Sequence, residues 1–230
     1  MKQKLNPPPT GRVLEIGSGD NPHPRADILC DRFIGDNTER GGSIVIDRPL
    51  VVADAHHLPF RDGAFVYTIC SHILEHMDDP KQFGRELMRV SKGGYIQSPS
   101  EIAERLFHWS FHRWYVNLIG NTLVLSPKEP GEPFGELFDY LYEYNPAYYF
   151  FQRSVPDLFW VEQEWHGTVD IEVRDSSPLR LRDPAVLRAM VRPRLSPPRL
   201  VALFFVTLLA RLVRAGTRRR LRALIGRSYI

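Results

Sequence analysis

Five short runs of apolar and β-branched residues, each cut off by glycine, proline or an acid, organise the first hundred positions: RVLEI at 12–16, ADILCD at 26–31, PLVVAD at 49–54, AFVYTIC at 64–70 and GGYIQSPS at 93–100. Runs of this length without strict alternation read as strands buried on both faces. Between the fourth and fifth runs a helix is punctuated at both ends. Asp79 is its N-cap, Pro80 its first residue and Gln82 takes the capping-box position; Phe83, Leu87 and Val90 share one face, and Gly93-Gly94 lie past its end. Short strands separated by loops or helices predict an α/β fold with a doubly wound, mostly parallel, Rossmann-like sheet.

After Ser100 the periodicity dissolves. From Phe107 to Trp165 the chain is dense in Phe, Tyr and Trp, with scattered Pro and Gly. This predicts an inserted region with helices packed over the sheet, its aromatics serving the core more than a substrate cage. HGTVDIEV at 166–173 alternates as a final strand. Pro178, Pro184, Pro193, Pro197 and Pro198 then mark an irregular linker. The run LVALFFVTLLA at 200–210 is apolar, but as a helix it reaches only ~16 Å, about half of a ~30 Å hydrocarbon core. Beyond it Arg211, Arg214, Arg218 and Arg222 fall on one helical face. The expected division is a cofactor-binding part at 1–100, an aromatic-rich acceptor-side region at 101–173, and a Pro/Arg-rich linker with a basic amphipathic C-terminal helix at 174–230.

Charge sharpens that division. The net charge of +3 averages two unlike segments. Met1–Val173 holds 16 Lys and Arg against 25 Asp and Glu, whereas Arg174–Ile230 holds 14 Arg, no Lys and two acids. The basic helix suits either an anionic membrane surface or packing on its own domain. An acidic sheet region and the lack of a recognised motif argue against nucleic acid. Cys30 and Cys70 match neither a zinc site nor a disulfide framework, which points to a reducing cytoplasm. MKQKLNPPPT at the N-terminus lacks an apolar core and predicts no secretory signal.

The candidate chemistry sits at the strand ends. Val13-Leu14-Glu15-Ile16-Gly17-Ser18-Gly19 is a strand that stops at two glycines, which lets a ligand approach the backbone. Nicotinamide and flavin proteins use related loops, but position 22 is proline where a third glycine would stand, and an acid precedes Gly17 by two residues. Asp31 closes the second run, placed to bond ribose hydroxyls, and Asp54 closes the third; Asp47 is a rival for the ribose.

The order LEIGSG, an acid after the second strand, VADAHHLPFRDGAF, SHILEHMDDP, ELMRV and GGYI resembles the class I S-adenosylmethionine-dependent methyltransferases, specifically the type 11 methyltransferase family, over roughly residues 11–100. The resemblance implies S-adenosylmethionine as cofactor and methyl transfer to a small-molecule or lipid-like acceptor. It implies that Glu15, Gly17, Ser18 and Gly19 surround the methionine portion and that Asp31 holds the ribose. Asp54 and Ala55 would meet the adenine, with Ser71 and His72 beneath the sulfonium. The chain departs from the family at Asp20-Asn21-Pro22-His23-Pro24, which stiffens the loop, and at the polar stretch 33–48, where a crossover helix is expected.

Methyl transfer needs positioning above all, and a base only where the acceptor must lose a proton. His72, His108 and His112 are the candidate bases, with His112 and His72 favoured. His56-His57 reads as a turn with one packed imidazole, and Glu75 and His76 as holding their loop through hydrogen bonds. His108 and His112 have the spacing of a metal pair, but without an H-E-x-x-H motif or a third ligand no metal is expected. Two alternatives remain: a nicotinamide-dependent oxidoreductase, and a degenerate methyltransferase fold serving as a binding or membrane-recruitment module.

Overall fold

The computed structural model describes residues 5–38, 42–130, 135–179, 183–193 and 195–212. Strands β1 (Val13–Ile16), β2 (Ile28–Asp31), β3 (Leu50–Val52), β4 (Tyr67–Ser71) and β5 (Gly93–Pro99) coincide with the five apolar runs. They pair in parallel in the order β3-β2-β1-β4-β5. β1 lies at the centre with every residue buried. Its Ile16 is in register with Cys30 on one side and Cys70 on the other, so both thiols are buried and free, separated by a strand.

Of the connections that join β1 to β5, only the one from β4 to β5 carries helix among the described residues: a 3-10 turn at Leu74–His76, then α1 (Pro80–Val90). Asp79 caps α1 by accepting the Gln82 N–H at 2.9 Å, and Phe83, Leu87 and Val90 are fully buried beneath it. The capping box is only half made, because the Gln82 amide donates instead to the His56 carbonyl at 3.0 Å. Arg89 fastens α1 to the loop before β4, donating to the carbonyls of Phe60 at 2.6 Å and Leu58 at 2.8 Å. Gly93 and Gly94 do not stop this helix. They open β5, where a Cβ on Gly94 would lie 2.5 Å from the Thr68 carbonyl oxygen of β4.

The chain beyond Ser100 departs further from its sequence pattern. After α2 (Glu101–Phe107), β6 (Trp114–Ile119) and β7 (Thr122–Pro127) form a hairpin. Helices α3 (Gly135–Tyr144), α4 (Pro146–Ser154) and α5 (Pro156–Phe159) follow, then β8 (Trp160–His166) and β9 (Asp170–Val173). β8, out of the aromatic-rich stretch, completes the central sheet antiparallel to β5. The alternating segment at 166–173 instead supplies β9, which joins β7 in a second sheet of order β6-β7-β9. That small sheet and α1 close one face of the central sheet: Val116, Leu123, Leu125 and Val169 share a core with Leu14, Phe83 and Trp165. The aromatics divide, since Phe159, Trp160 and Trp165 are buried while Tyr140 and Tyr144 are exposed.

The prolines of the C-terminal segment begin helices as well as interrupt the chain. Pro184 opens α6 (Pro184–Met190) behind the N-cap Asp183, and Pro197 and Pro198 start α7 (Pro197–Leu212). α7 packs on α4, with Phe204 edge-on to Phe150 at 5.7 Å and Thr207 buried. The stripe Val201, Phe205 and Leu209 faces outward at 56%, 57% and 59% exposure. Arg214, Arg218 and Arg222 lie outside the described residues, and nothing is described of the Arg211 side chain. No helix among the described residues is long and apolar enough to cross a membrane.

Candidate functional site

The strand order reverses between β1 and β4, because the chain leaves β1 toward β2 and later returns on the opposite side. In an open parallel sheet the carboxyl edge at such a point forms a crevice. Gly17 and Gly19 follow β1 there with left-handed φ of +67° and +56°. Their reasons for being glycine differ. A Cβ on Gly17 would fall 1.9 Å from Ile73 Cδ1, a demand of the protein's own packing, whereas a Cβ on Gly19 would meet nothing within 4 Å. Beside them the buried hydroxyls of Ser18 and of Ser71, at the end of β4, take no hydrogen bond from the protein among the described residues.

The three strand-end acids gather at the same edge, and each also serves its own loop. Glu15, 3% exposed, accepts the His23 N–H at 2.7 Å. Asp31 accepts the Phe33 N–H at 3.0 Å. Asp54, two residues beyond β3, accepts the His56 N–H at 2.9 Å, meets His56 Nδ1 at 2.7 Å and pairs with Arg32 at 3.0 Å. Burial pushes the Asp54 carboxyl up, but these His56 bonds and Arg32 hold it below its ordinary value. Ala55 is buried beneath that turn. Asp47 is turned away to a bidentate pair with Arg48, at 2.7 and 2.8 Å. His56 is the packed member of its pair, its Nε2 accepting the Asp79 N–H at 3.2 Å, and His57 is exposed.

A second set of groups lies past the end of β4. His72 has φ +59°, and its ring stands edge-on to Trp160 at 5.1 Å. His72 Nδ1 is 3.3 Å from Glu75 Oε1, while Glu75 Oε2 accepts the Ser98 hydroxyl at 2.8 Å. Burial alone would raise the Glu75 carboxyl, yet His72 first, then His112 and His76, bring it down to about 2. His112 is buried with its Nδ1 2.6 Å from Glu104 Oε2, and Lys128 Nζ donates to Glu104 Oε1 at 2.6 Å. The His112 ring is edge-on to His76 at 4.7 Å and to Phe111 at 4.8 Å.

The structure therefore brings His112 beside the loop that follows His72, although forty residues separate them. It removes His108 from that group: α2 ends at Phe107, His108 is its left-handed C-cap, and its Nε2 lies 3.3 Å from the Glu129 carbonyl. The four-residue spacing to His112 thus has no helical meaning. Glu104 and Lys128 were not singled out in the sequence. Their only signal is that EIAERLF carries carboxylates at 101 and 104, on the same face as Phe107, where an amphipathic helix would be apolar.

Residues 34–96 match the family model described as a methyltransferase domain. An uncharacterized methyltransferase of Mycobacterium tuberculosis is 33% identical over 98 residues, covering 38% of this chain and 38% of that protein. Ajmaline N-methyltransferase of Rauvolfia serpentina is 42% identical over 43 residues, 19% of this chain and 15% of that one. The chain thus spans well under half the length of these curated relatives. An S-adenosylmethionine dependent methyltransferase structure from Mesorhizobium loti overlaps 51% of this chain and 57% of its own, with 14% identity and a TM-score of 0.32. The matched segment runs from the loop after β2 through most of β5 and holds Asp54, Ala55, Ser71 and His72, and over that segment the chain is similar to methyltransferase domains.

Proposed function

We propose that the protein binds S-adenosylmethionine at the carboxyl edge of β1, β2 and β4 and transfers its methyl group to a small-molecule or lipid-like acceptor. The observation that carries the reading is the pair of buried hydroxyls, Ser18 and Ser71, that have no hydrogen-bond partner among the described residues, beside the open space over Gly19. Uncompensated burial of a hydroxyl is costly, so a polar ligand here offsets what the protein leaves unpaired. Glu15, Gly17, Ser18, Gly19 and Ser71 would hold the amino-acid portion, Asp31 the ribose, and Asp54 and Ala55 the adenine edge. When bound, the cofactor supplies a methyl group already activated by a positive sulfur. The chain's part is to align the acceptor, exclude water and take a proton. Where the acceptor's attacking atom must lose a proton, His72 or His112 on the acceptor side would take it. Residues 1–100 then serve the cofactor and 101–173 the acceptor.

Calorimetry tests this directly. The full chain is expected to bind S-adenosylmethionine and not NAD, and Gly19→Ala to weaken that binding at least about tenfold. The new Cβ meets no protein atom, so its stability cost is confined to backbone strain of about 1–2 kcal/mol. Heat with NAD alone would favour an oxidoreductase, and no heat with either ligand in folded protein would favour a binding module. His112→Ala is expected to lower turnover while sparing cofactor affinity.

We further propose that α7 attaches the enzyme to an anionic membrane surface, with residues 174–230 as its linker and basic tail. The outward stripe Val201, Phe205 and Leu209 supports this, followed in sequence by the arginines at 211, 214 and 218. Sedimentation with anionic and with neutral vesicles separates the readings. Selective pelleting with anionic vesicles, lost in Val201→Asp/Phe205→Asp, is expected; no pelleting of the parent chain rejects it.

A further inference from the structure

Glu75 is a carboxylate 1% exposed whose facing groups are imidazoles: His72, His112 and His76. Its Oε1 lies 3.3 Å from His72 Nδ1 and takes no well-formed hydrogen bond among the described residues. Keeping such a charge out of water requires a cation close by. The neighbouring Glu104 already has one in Lys128. One oxygen of Glu75 and one ring nitrogen each of His76 and His112 lie within 4.8 Å of one another. Two imidazoles and a carboxylate are the donor set of open zinc sites and of related transition-metal centres.

The surroundings suit that use as well. A ligating histidine commonly gives its other ring N–H to a carboxylate, which fixes the ring and strengthens the donor. His112 meets Glu104 through Nδ1 at 2.6 Å, leaving Nε2 for a ligand, and Ser98 fixes the far oxygen of Glu75 at 2.8 Å. Phe111 stacks on His76 at 5.7 Å and touches the His112 ring, so the three donors meet behind an aromatic wall.

We propose that Glu75, His76 and His112 bind a divalent ion of the Zn²⁺ class, with its remaining position open toward the acceptor. Ligation at ~2.1 Å draws the donors to ~3.4 Å from one another. His76, the least buried of the three, is the residue that rotates inward. His112 then holds the ion, and His72 is left as the proton acceptor. The role toward the acceptor rests on the methyl-transfer reading above, whereas the ion site itself does not.

The test uses the full chain stripped with a chelator and titrated with Co²⁺, then Zn²⁺, following visible absorption and heat. The expected result is one Co²⁺ per chain with a tetrahedral absorption band, displaced by Zn²⁺. His76→Ala and His112→Ala should each weaken uptake at least about tenfold, and His57→Ala at an exposed turn should leave it unchanged. Glu75 is buried and its replacement can unfold the chain, so His76→Ala, checked by circular dichroism, is the deciding variant. No stoichiometric uptake by folded parent protein overturns the proposal, as does parent-like affinity in both histidine variants. S-adenosylmethionine binding is measured on the same samples. Cofactor binding without metal uptake rejects the ion site alone, and metal uptake without cofactor binding rejects the methyl-transfer reading alone.

Discussion

Helices α1 and α7 treat their apolar residues in opposite ways. On α1, Phe83, Leu87 and Val90 are fully buried against the sheet, and Lys81 and Arg85 are exposed. On α7, Val201, Phe205 and Leu209 are more than half exposed, while the polar Thr207 is 3% exposed against α4. The first arrangement removes apolar surface from water within this chain, at about 25 cal/mol per Å². The second leaves that gain to be realised by something outside it. The difference teaches that apolar content locates a helix in sequence without saying which surface it serves.

Four measurements would break or sharpen this contrast. Phe83→Ala should cost about 3–5 kcal/mol in denaturant unfolding, because it opens a cavity between α1 and the sheet; a loss below about 1 kcal/mol would mean that α1 is not seated as described. Gly94→Ala should cost about 1–3 kcal/mol by overpacking, since its Cβ would press on the Thr68 carbonyl at 2.5 Å. An unchanged melting temperature there would place these glycines back at a helix stop. Removing the α1 cap with Asp79→Ala should cost about 1 kcal/mol. Phe205→Ser, the smallest effect, should stay within about 0.5 kcal/mol; a loss several times larger would show that the outward face of α7 is packed on its own domain.

The same contrast explains how far the sequence could be read. β1 to β5 were legible because their side chains are buried on both faces, which leaves unbroken apolar runs with abrupt ends. β8 was not. WVEQEWH buries Glu162 and Gln163, and Glu162 is satisfied by the Tyr95 hydroxyl at 2.6 Å and the Gln97 amide at 2.9 Å, partners 67 and 65 residues away. A buried polar pair looks like surface until its partners are known. The β6–β7 hairpin did leave a local signal, Gly120-Asn121 between two apolar runs, with Gly120 at φ +61°. The aromatic density around it hid that signal.

The candidate site divides along the same line. Glu15, Gly17, Asp31 and Asp54 could be named from the sequence because each sits at the end of a local run, and a parallel sheet brings such ends to one edge. What those acids do for their own loops, and that Gly17 answers to Ile73 while Gly19 answers to no protein atom, required the packed structure. Glu75, His76 and His112 were each read singly from the sequence, but neither Glu104 nor the gathering of the four was legible there. His112 follows α2 and Glu75 follows β4, and no periodicity relates them. By itself the sequence determined the parallel sheet, the α1 boundaries and the strand-end acids, because backbone propensity and burial act within a few residues. Tertiary structure decided the second sheet, the strand that closes the first, and the histidine–carboxylate cluster. Those depend on which distant polar groups satisfy one another out of water, a quantity that no local window contains.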